Sequence, residues 1–108
     1  MRNAVYKKMR VIATIKEIET AAKNNLPFDL RLTDSIIGKV FGLSDYYTLH
    51  EVEEIISKLK ELQSVYNKLI YESDSDLVHS RNLQHCRSSL SITISTLENI
   101  KLIIRKIK

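Results

Sequence analysis

Two long stretches in which apolar residues return every three or four positions limit this chain more than any other feature. Val52, Ile55, Leu59, Leu62, Tyr66 and Leu69 form the first, widened by Ile56 and Ile70. Such steps keep side chains on one face of an α-helix, and here they run for about three heptads. Leu83, Cys86, Leu90, Thr93, Leu97, Ile100, Ile104 and Ile107 form the second, over about four heptads. Within it, Leu90-Ser91-Ile92-Thr93-Ile94-Ser95 also alternates with a period of two, as a strand does. A lone strand would leave its backbone groups unpaired, and no other stretch alternates to partner it. The spacing therefore predicts helix.

The boundaries of these helices are marked by local chemistry. Thr48-Leu49-His50-Glu51 has the form of a capping box, with Glu51 placed to reach back to the Thr48 N–H. Between the two seams lies ESDSD, residues 72–76, without apolar residues and rich in capping types, which reads as a turn. The product is a helical hairpin, residues 49–71 against Leu77–Ile107. At ~1.5 Å per residue the final helix is ~45 Å long and its partner ~35 Å, so the last two or three turns should outrun it. Those turns then need cover from the first helix or from another chain.

Upstream, Val5, Met9, Ile12, Ile15, Ile18 and Ala22 recur at steps of three and four, giving a helix over residues 4–24. Asn3 is placed to cap its start, and Asn24-Asn25 before Leu26-Pro27 gives its stop, because the residue before proline avoids the helical region. A short second helix, capped by Thr33 or Asp34, runs through Phe41 and ends at Gly42. With only two glycines and one proline, a turn-rich β fold is disfavoured. The expected fold is all-α: a small bundle of about four helices, built on the long antiparallel hairpin, with residues 1–108 as one domain.

Charge and cysteine content bound the setting. The net charge of +4 is modest, and the bases gather toward the two ends while the middle is acidic. A nucleic-acid binder usually carries a denser basic face. The single cysteine, Cys86, has no internal disulfide partner, which fits a reducing compartment. The first ten residues lack the apolar run of a signal peptide, and no stretch approaches the ~20 apolar residues of a membrane span. A cytoplasmic protein is expected.

Three patterns bear on chemistry. Gly38 and Gly42, followed by Leu43-Ser44, match the small residue and turn glycine of a helix-turn-helix. However, Thr48 stands where that motif needs a buried aliphatic residue. The presumed reading helix, DYYTLHEVEE, offers carboxylates and no arginine or lysine to phosphates or guanine. The cluster His79 to Cys86 places no two metal-ligating side chains four apart, and no histidine stands three residues after a glutamate, so neither a metal nor a cofactor is expected. Arg81-Asn82-Leu83-Gln84-His85 resembles the Arg-Asn…His motif of HEPN-type ribonucleases, which are small all-α bundles. It differs in having three residues between Arg and His where that family has four to six. The resemblance, which covers five residues, implies Arg81 and His85 as a catalytic pair assembled across a dimer.

With no phosphate loop, nucleophile elbow or paired cysteines, the sequence favours a non-enzymatic interaction protein of the inhibitor, immunity, antitoxin or adaptor kind. Its partner would be another protein or a second copy, with nucleic acid as the alternative. The expected contact residues are Ile100, Lys101, Ile103, Ile104, Arg105, Lys106 and Ile107 on the overhanging helix, with Glu51, Glu53 and Glu54 in the acidic middle.

Overall fold

The computed structural model describes residues 2–107 except Asp74, and omits the side chains of Arg2, Asn3, Lys106 and Ile107. Among the described residues four helices account for 84%: α1 (Arg2–Lys23), α2 (Arg31–Gly42), α3 (Leu49–Glu72) and α4 (Leu77–Ile107). They run alternately up and down. α1 packs on α2 and α3, and α4 packs on the same two, so α1 and α4 stand on one diagonal and α2 and α3 on the other. The long dimension of 49 Å is close to the ~45 Å length of α4.

The hairpin forms where the spacing placed it. Val52, Ile55, Ile56, Leu59, Leu62 and Tyr66 of α3 are buried against Leu83, Cys86, Leu90, Thr93, Ile94, Leu97, Ile100 and Ile104 of α4. Each such aliphatic side chain taken from water contributes about 1.5–3 kcal/mol. Residues 90–95 are helical throughout. The capping box is complete: Glu51 N donates to Thr48 Oγ1 at 3.1 Å and Thr48 N donates to Glu51 Oε1 at 2.9 Å. Asp76 accepts from His79 N at 3.0 Å and so starts α4.

Helix α1 stops by a left-handed residue. Asn25 has φ 55°, and the bonds Leu26 N to Ala21 O (2.9 Å) and Asn25 N to Ala22 O (3.1 Å) are those of a Schellman motif. Asparagine tolerates this region because its short polar side chain bonds locally. The chain then turns inward. Phe28 packs edge-on against Tyr66, with ring centroids 5.6 Å apart, while the Tyr66 hydroxyl donates to Leu26 O at 2.8 Å. Phe28 N also donates to Cys86 Sγ at 3.3 Å. The α1–α2 connection is thus fastened to both halves of the hairpin.

Four expectations are corrected. α1 runs through Asn3, which therefore sits inside the helix and not at its cap. α2 begins at Arg31, ahead of Thr33 and Asp34. Thr33 is instead buried, its hydroxyl donating to Leu30 O and lying 2.6 Å from Ser89 Oγ on α4, so packing and not capping explains it. Val5, Met9 and Ile12 are exposed, and the core face of α1 is Ala4, Val11, Ile15, Ile18 and Ala22.

The fourth correction concerns the overhang. Lys60 reaches Glu98, and Ile56 shares a surface groove with Lys101, so the first turns of α3 run alongside the last turns of α4. At the start of α4, Leu77 and Val78 project into solvent.

Candidate functional site

That register divides the contact residues expected on α4. Ile100 and Ile104 are turned into the core, and Lys101 is largely covered and paired with Glu98 at 3.1 Å. Ile103 and Arg105 remain exposed. The side chains of Lys106 and Ile107 lie outside the described residues. Glu53 lines the α3–α4 groove beside Lys60 and Lys101, whereas Glu51 and Glu54 look the other way, toward α1. The described members of this set are therefore divided among the core, the α3–α4 groove and the α1 side of α3.

The more apolar of the two is the groove between α1 and α3, about 310 Å³, with Ile12, Ile15, Ile55 and Tyr47 as its floor. Two ion pairs bracket it. At one end Lys8 Nζ lies 2.7 Å from Glu51 Oε2, donates to Tyr46 O at 3.1 Å and sits 4.9 Å from the centre of the Tyr47 ring. At the other end Lys58 Nζ lies 2.5 Å from Glu19 Oε2. Burial pushes the Glu51 carboxyl up, but its bonds to Lys8 and Thr48 outweigh burial and hold it below the usual range. Glu19 is held low chiefly by its hydrogen bond with Lys58, whose own pKa is raised in return. Burial, with the nearby Glu51 charge, pushes the Tyr47 phenol up to about 12, so it stays a neutral wall.

Beside this groove α1 presents an apolar row to solvent. Val5, Met9 and Ile12 are 58%, 62% and 54% exposed, and Tyr6 next to them is 63% exposed. Steps of four and three keep the first three on one face. Sequence reasoning placed this row in the core. Ile15 can be extended backward by four to Val11 or by three to Ile12, and only packing chooses between them.

The remaining candidates come apart. A Cβ on Gly38 or Gly42 would meet nothing within 4 Å, and neither glycine has a positive φ. Neither close helix approach nor a strained turn thus requires glycine at these positions. Arg81, Asn82 and His85 are all exposed; His85 lines a shallow α2–α4 groove with Asp34 and Arg87, and Arg81 does not. His79 Nε2 instead lies 3.2 Å from Asn25 Oδ1. Cys86 is buried, and burial raises its thiol pKa despite the Phe28 N–H, which is the opposite of what a reactive thiolate needs. No group of three His, Cys, Asp or Glu able to hold a metal occurs among the described residues. Nor, among them, is any helix long and apolar enough to cross a membrane.

Comparison with models of known protein families, with curated proteins and with solved structures finds no match. The functional reading therefore rests on the geometry of this molecule.

Proposed function

We propose that this protein is a non-enzymatic interaction module that works by covering a protein surface with the outer face of α1 and the α1–α3 groove. The observation that carries this reading is the exposed row Val5, Met9 and Ile12, which joins at Ile12 an apolar groove bracketed by two ion pairs. A row of this kind costs free energy in water, and a contiguous apolar patch rimmed by charge is the usual signature of a docking surface. Helix-in-groove contact suits it, because the row repeats at i, i+4 and i+7. The bracketing ion pairs hold the groove walls at fixed spacing, so little ordering is needed on contact. Glu51 and Glu54, expected as contact residues, belong to the rim of this face.

The test is comparative affinity capture from cells that express the protein, using the intact chain and a Met9→Lys/Ile12→Lys variant of matched helicity. The reading predicts partners held by the intact chain and lost by the variant. Identical captured sets would contradict it.

A further inference from the structure

We infer that one end of the bundle, where α1 begins and α4 finishes, is a docking surface for an anionic lipid membrane. This goes beyond the α1–α3 face, because it concerns the end of the molecule and not its flank. α1 runs parallel to α3, since Lys8 pairs with Glu51 and Glu19 with Lys58. α4 runs antiparallel to α3, with Glu98 beside Lys60 and Lys101 in one groove with Ile56. The start of α1 and the finish of α4 therefore share an end with the finish of α2 and the loop before α3. Lys8 ties that loop down by donating to Tyr46 O.

The fold thus brings together two basic segments from opposite ends of the sequence. The first ten residues carry four bases and no acid, and the last eight carry four bases and no acid. Asp45, Glu51, Glu53 and Glu54 stand against them, but Lys8 already holds Glu51, and His50 meets Glu54. Lys7 and Arg105 are exposed and make no ion pair among the described residues. Apolar and aromatic side chains are exposed at the same end: Tyr6, Phe41, Tyr46, Leu102 and Ile103. At ~1.5 Å per residue, those on helices lie within about 8 Å of their helix ends.

These five side chains belong to α1, α2, the loop before α3, and α4, so no single groove or helix face collects them. A planar surface met end-on does, and interfacial segments enter a bilayer by about 5–10 Å. Tyrosine suits that depth, because its ring is apolar while its hydroxyl stays wet. Duplex nucleic acid would engage the bases and leave the apolar side chains in water. The bases select anionic headgroups, and each base that nears such a surface strengthens the binding.

The test is co-sedimentation of the intact chain with lipid vesicles. It should bind vesicles of phosphatidylglycerol mixed with phosphatidylcholine, bind less as salt is added, and leave pure phosphatidylcholine vesicles free. Lys7→Glu/Arg105→Glu and Phe41→Ser/Ile103→Ser should each lower the partition coefficient by about tenfold. Circular dichroism checks that both variants stay folded. Neither alters a residue of the α1–α3 groove, so capture of a protein partner there should be unchanged. No sedimentation with the anionic vesicles would overturn the inference, as would equal binding to both lipids or insensitivity to both variants. Preference for a short DNA duplex over the vesicles in direct competition would also overturn it and assign this end to nucleic acid.

Discussion

The α3–α4 hairpin and the α1–α3 pair are built from the same kinds of residue and end in different states. In the hairpin, one apolar stripe on each helix meets the other along most of its length, and Leu59, Leu83, Leu90 and Leu97 are fully buried. Between α1 and α3 the contact is held at its edges by ion pairs, and three of the apolar residues of α1 stay outside. The hairpin gains its stability from burial along its seam, and its own exposed apolar residues, among them Val78, Ile92 and Leu102, lie outside that seam. The α1–α3 face leaves apolar area in water, which only an additional contact can recover. Apolar spacing thus marks a helix face, while what covers that face is decided elsewhere in the molecule.

The largest difference should appear on truncation. Leu59→Ala or Leu90→Ala opens a cavity at a fully buried site and should cost about 2–5 kcal/mol in denaturant unfolding. Met9→Ala, at an exposed site, should cost no more than about 0.5 kcal/mol in dilute solution. Equal losses would erase the distinction between the two regions.

Smaller effects sharpen it. Tyr66→Phe removes the bond to Leu26 O while keeping the ring against Phe28, and should cost about 1 kcal/mol. Thr48→Ala removes half of the capping box and should also cost about 1 kcal/mol, by loosening the start of α3 where Glu51 is held. An unchanged unfolding midpoint in either variant would show that the bond contributes nothing net.

Acid should act on α1 before it acts on the hairpin. Glu51 and Glu19 both titrate below their ordinary value of 4.5, so the stability they carry is fully present above it. It is lost as the pH falls through their lower folded values. Amide exchange, corrected for its intrinsic pH dependence, should then rise in α1 ahead of the middle of α4. Simultaneous loss of protection in both would mean that the two ion pairs do not fasten α1. Because these groups are at or near the surface, added salt should shrink the effect.

The hairpin was legible in the sequence because its seams run for three and four heptads, so that the face stays fixed even where Val65 and Tyr66 both continue from Leu62. α1 was not, because Val11 and Ile12 are both apolar and both one turn from Ile15. Thr33 looked like a cap because threonine favours caps, but Ser89, 56 residues away, gives its hydroxyl a partner and draws it inside. The helix lengths were readable, while their alignment was not. That depends on how Phe28, Tyr66 and Cys86 come together, which no local pattern encodes. The candidate face was missed for the same reason as the register of α1, since its residues had been assigned to the core.

Two neighbouring substitutions test the central claim most directly: Val11→Lys and Ile12→Lys, compared by urea unfolding at low protein concentration. If α1 packs as described, Val11→Lys buries an unpaired ammonium and should abolish or nearly abolish folding. Ile12→Lys should keep the fold with a change of about 0.5 kcal/mol or less. The reverse order, or equal damage from both, would mean that Val5, Met9 and Ile12 belong to the core and that no contact face exists on α1.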